Sequence, residues 1–126
     1  MANMTELIDR YIAAWNEPDA GRRRELVAGT WTDAGTYVDP HRAGDGHEHI
    51  SQMIGQVRER FPAYRFRLAG AAEAHNDHVR FRWEAGGTED APLYFAGTDF
   101  GVVAKDGRFT SITGFVDAAP AAPPTS

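Results

Sequence analysis

The chain has 126 residues, 42% of them hydrophobic and 25% charged, with no cysteine and a formal net charge of −5. That is room for one domain whose core needs no cross-link, and it excludes disulfide frameworks and cysteine metal centres. The acidic balance disfavours a nucleic-acid partner, and no apolar run nears the roughly 20 residues needed to span a bilayer.

The first predicted element is a helix. Leu7, Ile8, Tyr11, Ile12 and Trp15 recur at helical spacing as one apolar stripe. Asn3 or Thr5 can cap its start, and Asn16 and Pro18 end it. Glu6, Asp9 and Arg10 in its first turns do not fit a secretory leader, so a cytoplasmic location is expected. A second helix is predicted from Asp19 as N-cap, with Leu26 and Val27 inward and Arg22, Arg23 and Arg24 on a solvated face. Thr36, Tyr37 and Val38 are strand formers, stopped by Asp39 and Pro40. The polar stretch 41–46 reads as a loop. Asp45, three before Glu48, resembles a capping box opening a third helix with Ile50, Met53, Ile54, Val57 and Phe61 on one stripe, ended by Pro62.

The period then changes to two. Tyr64, Phe66 and Leu68 alternate with arginines, and Val79, Phe81 and Trp83 alternate with polar residues, so each run is a strand with one apolar face. Residues 93–104 form a long strand, Asp106-Gly107 a hairpin turn, and 108–117 the return strand. The segment 118–126, with three prolines, reads as a disordered tail to a domain of residues 1–117. Lysine occurs once, Lys105, against twelve arginines; with the abundant Ala and Gly this bias suggests a GC-rich bacterial genome.

Helices in front and antiparallel strands behind define an α+β fold. Long strands carrying Gly97, Gly101 and Gly114 bend, and a bent sheet with helices on its concave side leaves a small-molecule pocket. Trp15, Ile54, Phe61 and Phe81 are expected to line it, as are Trp83, Ile112 and Val116.

Three residues could carry chemistry. Asp39 ends a strand before proline. It is either a general base beside the concavity or a turn cap. Asp99 lies mid-strand among apolar residues, where a charge needs a partner. It is either held protonated inside or paired with Arg80 or Arg82 outside. Tyr11 is either plain core or a buried hydroxyl seeking a partner. His41, His47 and His49 crowd Asp39 and Asp45, but His47 and His49 diverge on a helix. No metal and no cofactor is expected, and no phosphate loop or nucleophile elbow is found.

With these pieces placed, the chain resembles the NTF2-like superfamily in its SnoaL-like, ketosteroid-isomerase-like branch. The resemblance rests on residues 10–16 of the first helix, on 36–40, on 46–50 opening the third helix, and on the closing strand pair at Asp106-Gly107. It implies a cone: a strongly curved antiparallel sheet around three helices with a deep apolar cavity, commonly as a homodimer. By similarity to steroid ketoisomerase, Tyr11 and a protonated Asp99 would hold a substrate oxygen and Asp39 would be the base. His41 and Arg42, just after Asp39, add polarity beside that base and count against a steroid. The implied activity is an isomerase or cyclase moving a proton alpha to a carbonyl of a small apolar ligand. The alternatives are a non-catalytic binder of an apolar metabolite, an interaction protein using the outer sheet face, and an epoxide-hydrolase-like enzyme using Asp99 and Asp117.

Overall fold

The structure, a computed structural model, describes residues 4–119. Three helices come first: α1 (Met4–Asn16), α2 (Ala20–Thr30) and α3 (His47–Arg60). Seven strands form one sheet: β1 (Trp31–Val38), β2 (Ala43–Asp45), β3 (Phe66–Leu68), β4 (Glu73–His75), β5 (His78–Gly86), β6 (Tyr94–Val103) and β7 (Phe109–Ala118). Their order is β2-β1-β7-β6-β5-β3, with β4 also pairing β5. The sheet is mixed: β1 runs parallel to β7, and the other pairs are antiparallel. The parallel pairing follows from chain order. α3 and the strands after it separate β1 from its neighbour, so β1 and β7 need not meet as a hairpin.

The apolar stripes face the concave side. Leu7, Ile8, Tyr11 and Trp15 from α1 and Ile50, Met53, Ile54 and Val57 from α3 are buried with Val79, Phe81, Phe109 and Ile112 from the sheet. Tyr11 is the hub, its ring 5.2 Å from Phe81, 5.4 Å from Trp31 and 6.0 Å from Phe109. Burial of one such ring stabilises the fold by about 1.5–3 kcal/mol.

Several expectations are corrected. Thr5 lies inside α1 and does not cap it, and Asn3 lies outside the described residues. Asp19 does cap α2, accepting from the Arg22 N–H at 2.9 Å. Arg23, however, is buried. Its guanidinium donates to the Glu17 and Pro18 carbonyls and lies against Gly55, where a Cβ would sit 2.8 Å from Nη1. Both carbonyls lie in the link between α1 and α2, which Arg23 thereby pins. Residues 43–45, expected as loop, pair with β1. The capping box does not form: the N-cap of α3 is Gly46 at φ 85°, and the Asp45 N–H donates to His49 Nδ1. Tyr64 precedes β3 in a turn, its N–H donating to the Phe61 carbonyl, and Leu68 is exposed. Strand β4 was not anticipated because its run, Glu73-Ala74-His75, is exposed on all three residues and lacks an apolar face. Ala118, assigned to the tail, is the last residue of β7; residues 120–126 lie outside the described range. Among the described residues no helix is long and apolar enough to cross a membrane.

Candidate functional site

A cavity of about 600 Å³ opens between α1, α3 and the inner face of the sheet. Tyr11, Asp39 and Asp99 all line it. Of the apolar residues expected there, Trp15, Phe61, Trp83 and Val116 do line it. Ile54, Phe81 and Ile112 do not: each is at most 1% exposed, sealed in the core behind the cavity. Phe66 and Phe95 take their place in the wall. Phe66 is held by Asn16, whose side-chain amide exchanges two hydrogen bonds with the Phe66 backbone at 2.8 and 2.6 Å. The last residue of α1 thus anchors edge strand β3 at the cavity.

Alternation along β1 sends Val38 outward and Tyr37 and Asp39 inward. Asp39 Oδ1 accepts from the His41 and Arg42 N–H groups at 2.7 and 2.8 Å. Its Oδ2 accepts from the Tyr37 hydroxyl at 2.6 Å. Asp39 thus makes the turn with one oxygen, and its side chain also lines the cavity. Tyr37 was missed as a site residue, although its place two before Asp39 in a strand put it on the same face.

Asp99 is 2% exposed. In the register it stands opposite Phe81 of β5 and Gly114 of β7, all on the inner face. Its Oδ2 accepts from the Tyr11 hydroxyl at 2.6 Å and its Oδ1 from the Trp83 indole N–H at 3.1 Å. Burial pushes its pKa up from 3.8 to about 6; the bonds from Tyr11 and Trp83 pull it down, and the charges of Asp39 and Asp117 push it up. Burial, with the charge of Asp99, also raises the Tyr11 and Tyr37 hydroxyls well above 10. No arginine pairs with Asp99. Arg80 pairs with Glu73 and Arg82 with Asp117 on the outer face, because their strand positions have the opposite parity. Asp117 also accepts from Thr98 at 2.6 Å there, which removes it as a cavity partner for Asp99.

Gly114 brings the two acids together. A Cβ there would stand 2.8 Å from Asp99 Oδ1, 3.3 Å from Asp39 Cβ and 3.4 Å from Tyr37 Oη. Gly97 does the same for Trp83, whose ring would lie 2.4 Å from an added Cβ. The Asp99 carboxyl and the Asp39 Cβ both pack against the bare backbone of Gly114, and that closeness brings the two side chains to one cavity. His47 and His49 are engaged with backbone at the Trp31 carbonyl and the Asp45 N–H.

A curved mixed sheet around three helices encloses an aromatic cavity with two carboxyls in its wall, the fold shared by NTF2-like and cystatin-like solved structures. A family model for the SnoaL-like domain matches residues 8–112, and the chain belongs to that family. Among solved structures, a candidate isomerase of the SnoaL-like family from Agrobacterium tumefaciens str. C58 is 38% identical. It superposes with a TM-score of 0.84 over 90% of this chain and 97% of that one. An NTF2-like protein of unknown function from Exiguobacterium sp. 255-15 is 20% identical, with a TM-score of 0.71 over 90% of this chain and 99% of that one. A candidate SnoaL-like polyketide cyclase from Jannaschia sp. CCS1 is 16% identical, with a TM-score of 0.67 over 90% and 86%. The last two likenesses show the fold alone. No curated protein matches the sequence.

Proposed function

We propose that the chain is a cofactor-independent isomerase- or cyclase-type enzyme that moves a proton alpha to a carbonyl. The observation that carries this reading is the convergence of Tyr11, Asp39 and Asp99 on one apolar cavity. Asp39 takes the C–H proton, and the C–H electron pair becomes a C=C bond. The carbonyl oxygen gains charge as an enolate; the acid form of Asp99 donates to it, and the Tyr11 hydroxyl, which donates to Asp99 Oδ2 in the resting site, turns to the same oxygen once Asp99 holds its own proton. In a substrate with a β,γ double bond, return of the proton to the γ carbon shifts that double bond into conjugation and completes an isomerisation. Attack of the enolate carbon on a second carbonyl, whose oxygen takes up the proton, completes a cyclisation. Two carboxyls in different surroundings suit this division: Asp99 is buried and pushed toward its acid form, and Asp39 sits at the half-exposed cavity wall. A plain carrier has no use for a buried carboxyl, which is costly to desolvate.

Exchange of the alpha protons of 2-tetralone into deuterated water, followed by proton NMR, tests this. The chain should accelerate exchange, and Asp39→Asn should slow it by about 10²–10⁴-fold with ligand affinity retained. Exchange by D39N at the wild-type rate would remove Asp39 as the base.

A homodimer is part of the same proposal. Phe100 and Phe115 are 43% and 53% exposed on the outer sheet face and meet edge to face at 5.8 Å. Exposed aromatic pairs of this kind mark interfaces. Light scattering should give twice the 13.9 kDa chain mass for wild type and the monomer mass for Phe115→Glu. A wild-type monomer at micromolar concentration would rule the dimer out.

A further inference from the structure

The cavity mouth carries two arginines that have no acidic partner among the described residues. Arg42, in the turn after β1, and Arg60, at the end of α3, both line the cavity, beside His41. Neither guanidinium takes part in an ion pair or a side-chain hydrogen bond among the described residues; Arg60 lies only over the Phe61 ring, 5.7 Å from its centroid. Other arginines are committed. Arg10, Arg23 and Arg58 serve backbone carbonyls, and Arg67, Arg80, Arg82 and Arg108 pair with acids. Arg22, Arg24 and Arg65 are exposed and do not line the cavity.

A basic residue in the last turn of a helix is ordinarily explained by the helix dipole. Arg58, in the same turn, donates to the Tyr64 and Pro62 carbonyls beyond the helix, whereas Arg60 makes no such bond among the described residues. The cavity's own acids do not need these arginines either. Asp39 and Asp99 are each satisfied by tyrosine, indole or backbone donors. In a chain of net charge −5, two uncommitted guanidinium groups at the mouth of the cavity create a local positive field where the overall field is negative.

We infer that the ligand of this cavity carries a carboxylate, bound at the mouth by Arg42 and Arg60, with its apolar body between Trp15, Phe61, Phe66 and Trp83. A monoanion suits the position better than a phosphate dianion, because the α3 C-terminus presents partial negative charge there. Guanidinium groups bind carboxylates through paired, charge-assisted hydrogen bonds. With the proton-transfer reading, on which this part rests, the substrate class is a keto acid whose carbonyl reaches Tyr11 and Asp99 while its carboxylate stays at the mouth.

Calorimetric titration of the full chain with 2-naphthylacetate and with its methyl ester isolates the anion, since the apolar body is shared. The acid should bind about tenfold more tightly than the ester at low ionic strength. Raising the salt should narrow that gap as exposed charges are screened. Arg42→Gln with Arg60→Gln should abolish the preference and leave the ester affinity and the circular dichroism spectrum unchanged. Equal or tighter binding of the ester, an equal loss for both ligands in the double variant, or binding of neither would overturn the inference. Asp39→Asn should retain the preference for the acid. Failure of the proton-transfer reading in the exchange assay is thereby distinguishable from failure of the carboxylate site.

Discussion

Gly114→Ala should slow alpha-proton exchange about a hundredfold while leaving the chain folded, the cost expected when reacting groups are displaced by about 1 Å. The added methyl group would come within 2.8 Å of Asp99 Oδ1, with Asp39 Cβ at 3.3 Å and Tyr37 Oη at 3.4 Å. Contact at 2.8 Å is too close for a carbon, so the Asp99 carboxyl must move. It can move only by lengthening its bond from Trp83 or from Tyr11. The backbone itself accepts alanine, because Gly114 is not among the glycines of positive φ. Overpacking should cost about 1–3 kcal/mol of stability, set against a gain of about 0.4–1 kcal/mol from the stiffer unfolded chain. Exchange rates measured beside thermal melts check both parts. A variant that exchanges as fast as wild type would mean that the two carboxyls do not act as a pair.

Asp99→Asn should stabilise the chain at pH 8 and leave it nearly unchanged at pH 4. Burial raises the Asp99 pKa to about 6 from an ordinary 3.8. Below about pH 4 the carboxyl is protonated folded and unfolded, and it costs nothing. As the pH rises through the window between those two values, the unfolded chain ionises while the folded one keeps its proton, and stability falls. Above about pH 6 the full cost is present, about 3 kcal/mol by the size of the shift. Asparagine never charges, so it removes that cost. Its oxygen still accepts from Trp83 and its amide donates to Tyr11 Oη, but the Tyr11 proton loses the acceptor it had in Asp99, which offsets part of the gain. About 3 kcal/mol is a ceiling, corresponding to roughly 10 °C in Tm for a domain of this size. Melting curves of both proteins at the two pH values check the sign. Equal destabilisation at pH 4 and pH 8 would mean that Asp99 is not strained as an anion. The same titration should appear in exchange: kcat/KM should decline as the pH rises above about 6 in the wild type, where Asp99 loses the proton it donates, and this limb should flatten in D99N.

α1, α3 and the long strands were legible in the sequence because each depends on local periodicity, while α2 and the turn at Asp106-Gly107 were marked by the Asp19 cap and by the Asp-Gly pair. Tyr11, Trp15 and Val57 repeat at helical spacing and are buried as that spacing requires. The residues of the candidate site were also readable, as types in an unexpected place: an acid amid an apolar strand and an acid before a proline. Their family resemblance added which of them would face one another. Local pattern could not decide between inside and outside, nor between cavity and core. Ile54, Phe81 and Ile112 share the apolar faces of Phe61, Trp83 and Val116, yet they are sealed in the core. Which residues meet empty space depends on how deeply α1 and α3 sit in the sheet, a property of packing between distant elements.

Sequence by itself determined the α+β class, the bent sheet and the two acids of the candidate site, since strand alternation and strand-interior glycines are written residue by residue. Only the tertiary structure decided the rest. It set β1 parallel to β7, buried Arg23, and turned Asp99 to Tyr11 and Trp83 and away from Arg80 and Arg82. It also left Arg42 and Arg60 at the mouth without an ion-pair partner among the described residues. Each of these is a choice of partner across tens of residues. The physical reason is the same throughout: a buried polar group must find its partner wherever the fold places one, and a charge at the surface carries no such demand.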